Sequence, residues 1–162
     1  MELAIISDTH LPRGSRALPA ACVRRLRAAD LILHAGDFAA RSVLEDLQLL
    51  GPPVVGVHGN VDSAELRELL PAERIVEAGG ARIGMIHDAG PARGRLERLR
   101  RRFAGCEAVV FGHSHTPLHQ QAPDSFQIFN PGSPTDRRRE PVHTMGRAIV
   151  GRGRVAFELV EL

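Results

Sequence analysis

The sequence predicts a mixed α/β fold, parallel in its first half and antiparallel in its second, built as one domain over residues 1–162. In the first sixty or so residues, apolar segments alternate as strand, helix, strand, helix, strand, which is typical of a parallel βαβαβ unit. Later apolar segments are joined in pairs at glycines, which indicates hairpins. The length suits one compact core rather than two domains.

The first half is assigned from runs of aliphatic residues and from apolar positions at helical spacing. Leu18, Cys22 and Leu26, for example, recur at the interval of one helix face. Three strands alternate with two helices, and the predicted segments in chain order are 2–6, 18–29, 31–38, 40–50 and 52–62.

The second half changes rhythm. Two strands in ERIVEAGGARIGMIHD meet at Gly79-Gly80, and two more in GRAIVGRGRVAFELVE meet near Gly151–Gly153, so both pairs are predicted to be hairpins. Between them we predict a helix and three short strands, at 92–103, 107–113, 117–122 and 125–130.

Composition excludes several classes of protein. A formal charge of +2 is too small to indicate a nucleic-acid surface, and we do not expect nucleic acid as a partner. Cys22 and Cys106 are far apart and outside any CxxC spacing, so neither a disulfide framework nor a cysteine zinc site is predicted. No stretch approaches the roughly 20 apolar residues that span a bilayer. We therefore expect a cytoplasmic protein that does not contact a membrane.

Polar side chains with metal-ligand chemistry collect where the predicted strands end. In open α/β sheets, ligands bind at this edge. Because residues i and i+2 of an extended segment point the same way, Asp8 with His10, and His113 with His115, are each expected to face one site. The full set of candidate metal ligands is Asp8, His10, Asp37, Asn60, His87, His113 and His115.

This set offers nitrogen and oxygen ligands without thiolate, which suits Mn²⁺, Fe, Co²⁺, Ni²⁺ or Zn²⁺ better than Ca²⁺ or Mg²⁺. Seven ligands are too many for one transition metal. Two divalent ions that share a carboxylate would use them, and manganese is our first choice.

The motifs SDTH, GDF, GNVD, an apolar strand ending in histidine, GHSHTP and NPGS occur in this order. The sequence thereby resembles the calcineurin-like metallophosphoesterases, and most of all their small stand-alone bacterial and archaeal phosphodiesterases. The resemblance implies two mixed β-sheets packed as a sandwich and flanked by helices. It also implies two metal sets that share Asp37 as a bridge: Asp8, His10 and His115 in one, and Asn60, His87 and His113 in the other.

The activity implied is metal-dependent hydrolysis of a phosphoric ester by a metal-bridging hydroxide. We expect a small or nucleotide-like phosphodiester as substrate, with Asn60 as a catalytic residue because its oxygen can bind metal while its NH₂ donates to phosphate. A phosphomonoesterase, acting on a nucleotide or a protein, is the enzymatic alternative. A non-catalytic scaffold is the other, since the retromer coat uses this fold for protein interaction. Relatives often dimerise, so a homo-oligomer is allowed.

Other residues have two interpretations each. Asp62 and Asp88 either orient ligand imidazoles or serve as turn residues. Arg137, Arg138 and Arg139 either bind substrate phosphate or form a charged surface loop. His34 precedes the GD motif by two residues, and either hydrogen-bonds beneath the site or is an ordinary core histidine. Asp8 and Asp37 could also be helix N-caps.

The sequence departs from many relatives at Val61, where they carry a histidine that protonates the leaving group. Valine cannot donate a proton, so leaving groups of low pKa should be preferred. A second departure is HDAG at 87–90, where Asp88 could alter the loop and the metal affinity.

Overall fold

The protein is described by a computed structural model that covers residues 1–162 and contains two five-stranded mixed sheets packed face to face. This arrangement confirms the predicted fold class. The elements in chain order are β1 (Glu2–Ile6), α1 (Ala20–Ala28), β2 (Leu31–His34), α2 (Arg41–Gln48), β3 (Val54–Gly56), α3 (Ala64–Leu69), β4 (Glu73–Ala78), β5 (Ala81–Ile86), α4 (Arg95–Arg102), β6 (Ala108–Val110), β7 (Leu118–Gln121), β8 (Gln127–Asn130), β9 (Thr144–Gly151) and β10 (Arg154–Glu161).

The first sheet has the strand order β10-β9-β1-β2-β3. β1 and β2 are parallel, with Leu3 opposite Leu31, and β2 is parallel to β3. These pairings confirm the predicted βαβαβ unit. The last two strands of the chain join this sheet as an antiparallel hairpin, with β9 beside β1. The first and the last strands of the chain therefore lie in the same sheet.

The second sheet has the order β4-β5-β6-β8-β7. β4 and β5 form the predicted hairpin, with Ala78 opposite Ala81 across Gly79-Gly80. Gly79 has φ of +53° and Gly80 of +80°, left-handed values that favour glycine. β5, β6 and β8 are parallel, so their carboxyl ends share one edge.

The fold has four layers, namely helices, first sheet, second sheet and helix, and an apolar cluster lies between each neighbouring pair of layers. The largest lies between the sheets and takes residues from both, such as Leu33 and Met85. A second packs α1, α2 and α3 against the outer face of the first sheet, and the third packs α4 against the second sheet through Leu99 and Phe103. Alternate residues of a strand point to opposite faces, so β1 contributes Ile5 to one cluster and Ile6 to another.

Two details differ from the sequence-based expectation. Helix α3 was not predicted, because six residues carry too little periodicity; its signal was Ser63, whose hydroxyl accepts the Leu66 N–H as an N-cap. Helices α1 and α4 are shorter than predicted, since α1 begins after Pro19 and α4 after Gly94.

None of the four helices has the length and apolar character needed to span a bilayer. Cys22 and Cys106 are buried free thiols, which agrees with the absence of a predicted disulfide framework.

Candidate metal centre

The strand ends bring all seven candidate ligands to one edge of the sandwich, in two connected groups. In the first group, Asp8 Oδ1 lies 4.0 Å from His10 Nε2 and 3.5 Å from His115 Nε2. In the second, Asn60 Oδ1 lies 3.2 Å from His87 Nε2 and 2.9 Å from His113 Nδ1. The groups match the two sets that the resemblance implies.

Asp37 lies between the two groups. Its Oδ2 atom is 3.4 Å from His10 Nε2 and 3.2 Å from His87 Nε2. Its Oδ1 atom accepts the backbone N–H of Val61 at 3.0 Å, which fixes the carboxylate plane. One carboxylate therefore faces both sets of nitrogens, as a bridging ligand would.

The ligand pairs converge in a way that the sequence did not predict. Asp8, His10, His113 and His115 were expected in extended segments, but their φ angles are 56°, 47°, 70° and 60°. The expectation was wrong because each strand stops before its motif, and the chain then turns through left-handed residues. Asp37 shares this conformation, with φ of 60°. Asp and His adopt it more readily than most side chains, and such strain concentrates at functional sites.

The N-cap interpretation of Asp8 and Asp37 is also wrong. The cap position of α1 is Pro19 and that of α2 is Ala40. Neither aspartate caps a helix, so both carboxylates are available to the site.

Several imidazoles are held so that one nitrogen faces the centre. His87 Nδ1 donates to the Ala35 carbonyl at 2.8 Å, and His115 Nδ1 donates to the Asp136 carbonyl. The Nε2 atoms of His10 and His115 are buried and have no hydrogen-bond partner. Buried polar atoms are rarely left unpaired. Two orphaned imidazole nitrogens beside buried carboxylates fit a metal ion.

The pKa values show the same need for positive charge. Burial raises the pKa of Asp8 to about 7, and the charge of His87 opposes this only in part. Burial would also raise the pKa of Asp37, but the hydrogen bond and charge of His87, with the Val61 N–H, hold it at about 2. For His87, burial opposes the charged form, yet the bond to Asp37 raises its pKa. Burial of two carboxylates in one site is costly, and bound cations would offset that cost.

Asp62 acts on the backbone rather than on an imidazole. Its carboxylate accepts the N–H groups of Asp37, Ala39 and Gly59, at 3.1, 2.7 and 2.7 Å. It therefore ties the loop that carries Asp37 to the loop that carries Asn60. Asp88 is exposed and accepts the Gly90 N–H at 2.7 Å, as expected for a turn residue.

His34 is a positioning residue that sequence reasoning left open. Its imidazole is completely buried and stacks on Phe38 with ring centroids 3.5 Å apart. The Gly36 N–H donates to Nδ1 at 3.2 Å, so Nε2 carries the proton and donates to Thr9 Oγ1 at 3.1 Å. Burial lowers its pKa to about 3, which keeps the ring neutral. The ring links the loop of Asp8 and His10 to the loop of Asp37.

The NPGS segment and Thr135, two residues after it, brace the same loop. Ser133 Oγ donates to the Asp8 carbonyl at 2.8 Å, and Thr135 Oγ1 donates to the Thr9 carbonyl at 2.6 Å. No signal in the sequence indicates these bonds, because the two hydroxyls lie more than 120 residues from their partners.

Two glycines allow the loops to pack this closely. A Cβ atom on Gly59 would lie 2.0 Å from Asp37 Oδ1, and one on Gly112 would lie 1.9 Å from Ser7 Oγ. Both clashes are far inside van der Waals contact.

The three arginines after NPGS are exposed, and they differ in their relation to the site. Burial lowers the pKa of His10 and of His115, and the nearby positive charge of Arg138 lowers both further. Arg138 therefore lies at the His10 and His115 end. Arg137 instead donates to the Glu140 carbonyl within its own loop, and no contact links Arg139 to the centre.

Solved structures share this architecture. Vps29 from Entamoeba histolytica, in complex with zinc, superposes with a TM-score of 0.79 at 22% identity over 99% of both chains. An archaeal phosphodiesterase superposes with a TM-score of 0.71 at 18% identity, over 99% of this chain and all of its own. At these identities the similarity shows the fold alone.

Sequence comparison shows the family as well as the fold. A probable metallophosphoesterase of Methanothermobacter thermautotrophicus is 36% identical over 137 residues, which cover 83% of this chain and 78% of the relative. The family profile described as the calcineurin-like phosphoesterase superfamily domain matches residues 1–151. A match of this length, on a chain whose strand ends assemble paired metal-ligand groups, shows that the protein belongs to the calcineurin-like phosphoesterase superfamily.

Proposed function

We propose that the protein is a dinuclear metal-dependent phosphodiesterase that hydrolyses a small or nucleotide-like phosphodiester. The observation that carries this proposal is the position of Asp37, whose Oδ2 atom lies within 3.4 Å of His10 Nε2 and 3.2 Å of His87 Nε2. A single carboxylate oxygen between two groups of ligands is suited to bridge two ions.

The residues fit two divalent ions, with manganese as our first choice among Mn, Fe, Co, Ni and Zn. Asp8, His10 and His115 would hold one ion, and Asn60, His87 and His113 the other. When bound, two such ions would supply an activated water and would stabilise the charge of the phosphoryl group.

The protein's own residues would position the substrate. Asn60 Oδ1 faces His87 and His113, which leaves the amide NH₂ to donate to a phosphate oxygen. The positive charge of Arg138, which lowers the pKa of His10 and of His115, would attract phosphate at the opposite end. Asn60 and His113 are exposed, so a phosphoester would reach the centre from this side.

Support for a diester comes from the archaeal phosphodiesterase of the same fold. Val61 adds that the leaving group would depart without a proton from this position, which suits an acidic alcohol or phenol. A phosphomonoesterase uses the same ions, and the two activities are separated by assay.

The test combines metal content with hydrolysis. Purified protein would be analysed for bound metal and assayed on bis(p-nitrophenyl) phosphate and on p-nitrophenyl phosphate, with Mn²⁺ or with chelator. We expect about two ions per chain and faster hydrolysis of the diester. Asp37→Ala should lower the rate by more than about 100-fold, whereas Asp46→Ala, an exposed carboxylate on α2, should not.

The outcomes separate the alternatives. Faster hydrolysis of the monoester would indicate a phosphomonoesterase. Less than one ion per chain and no hydrolysis, in folded protein offered several metals, would reject the enzyme in favour of a scaffold.

A further inference from the structure

A groove of about 370 Å³ opens beside the Asn60 and His87 end of the centre. It runs between the loop after β3 and the end of β5, so it joins the edges of the two sheets. Its polar lining consists of His58, Asn60, Arg67, His87, Asp88 and Arg102. A substituent on a phosphoester bound at Asn60 would enter this groove.

Arg67 is held in place before any ligand arrives. Its Nε atom donates to the Asp62 carbonyl at 3.0 Å, and its Nη2 atom donates to the Asn60 carbonyl at 2.5 Å. Since a guanidinium has five N–H donors in a fixed plane, these bonds leave others for a ligand. A fixed cation binds an anion with less loss of side-chain entropy than a free one.

Arg102 forms the opposite wall, at the end of α4. It pairs through Nε with Glu73 at 2.7 Å, and both side chains are about half exposed, so the pair leaves the Nη groups for another acceptor. The single carboxylate in the lining, Asp88, already accepts the Gly90 N–H. Glu73, outside the lining, balances the charge of Arg102, so what the groove offers an anion is the set of free guanidinium N–H donors on its two walls.

We propose that this groove binds an anionic group on the substituent of the substrate. The substrate class is then a phosphodiester in which one alcohol carries its own negative charge, either a carboxylate or a second phosphate. This inference rests on the proposed phosphodiesterase function and narrows it, with Arg67 and Arg102 as the residues that determine specificity.

The experiment compares three p-nitrophenyl phosphodiesters that share a leaving group and differ in the second alcohol: propyl, 2-carboxyethyl and 2-phosphonoethyl. With the metal-loaded protein, we expect a higher kcat/KM for the two anionic esters than for the propyl ester. Arg102→Gln should reduce this preference about 1.5-fold to fivefold, the range for an exposed charge pair. The larger of the two anionic preferences identifies carboxylate or phosphate.

The matched control is Arg101→Gln, which removes the same charge one residue earlier on α4 and outside the groove. It should keep the preference of the unmodified protein. An equal loss in both variants would show a general surface field and overturn the proposal, as would an unmodified protein that treats all three esters alike.

A binding measurement separates this proposal from the proposed function. Calorimetric titration with 2-carboxyethyl phosphate and with propyl phosphate should show tighter binding of the former, and Arg102→Gln, but not Arg101→Gln, should reduce the difference. Hydrolysis of the propyl ester without any preference for the anionic esters would reject the anion-binding role of the groove and leave the proposed function intact. Failure to hydrolyse any ester would reject the proposed function. The titration would then still show whether the groove binds an anionic group.

Discussion

The two ends of the metal centre differ in their contact with solvent. At one end, the side chains of Asp8 and His115 are 0% and 1% exposed, and that of His10 is 12% exposed. At the other end, Asn60 and His113 are exposed, and only His87 is buried. Asp37 lies between the two ends and is buried. Under the proposed function, the first end would hold its ligands in place and the second would admit the substrate.

Both ends are braced by hydrogen bonds to their loops. At the buried end, Ser133 and Thr135 donate to backbone carbonyls and His34 donates to Thr9 Oγ1. At the exposed end, Arg67 donates to backbone carbonyls and Asp62 accepts the Gly59 N–H. The two ends therefore differ in their exposure and not in their bracing.

The largest expected effect comes from removing one imidazole at each end. His115→Ala takes the nitrogen that faces a buried carboxylate, so we expect metal affinity at that end to fall by more than about 100-fold. His113→Ala removes an exposed ligand and should cost less, because water can replace it. Both substituted residues lie in the GHSHTP motif, and competition with a chelator for the metal measures the affinity of each variant. Equal losses would contradict the division between the ends.

A second effect concerns the exposed end, where Val61 is 42% exposed beside Asn60. Val61→His would restore a proton donor, and we expect it to speed the hydrolysis of alkyl diesters by about 10- to 100-fold. Diesters with a p-nitrophenyl leaving group should change little, because nitrophenolate leaves without a proton. Val61→Ala is the matched control for lost volume. A uniform change for both leaving groups would rule out the proton-donor explanation.

The smallest effect concerns His34, beneath the buried end. Its pKa is about 3 in the folded protein and near 6.5 when unfolded, so between these values the unfolded chain binds the extra proton. The free energy of unfolding should therefore fall as pH drops below about 6.5, by up to roughly 1.4 kcal/mol per pH unit.

His34→Gln should remove that part of the slope, while His119→Gln on the exposed edge strand should keep it. Denaturant unfolding at pH 7 and pH 5 measures both variants. An identical slope in His34→Gln and the unmodified protein would show that His34 is not the group responsible. His34→Gln can keep the bond to Thr9, whereas His34→Asn cannot reach it, so their metal affinities would show whether that bond orients the buried end.

Sequence patterns could locate the candidate ligands because strands end at recognisable polar motifs, and parallel strands place those ends together. Alternation along β1 likewise predicts which of its residues share one face of the sheet. Periodicity cannot reveal which sheet a late hairpin joins, so the sandwich came from resemblance. The role of Ser133 and the network around His34 depend on contacts between distant segments, which no local pattern encodes. Left-handed turns at histidines have no clear sequence signature either, unlike those at glycine.

Those left-handed turns bear on how such a site is retained. Asp8, His10, Asp37, His113 and His115 all hold φ between 47° and 70°, where a side chain typically costs about 1 kcal/mol or more and glycine costs little. If these side chains had no function, replacing them with glycine would raise the free energy of unfolding. His113→Gly should accordingly be more stable than His113→Ala. Five of the seven candidate ligands therefore lie at positions where the backbone alone would favour glycine.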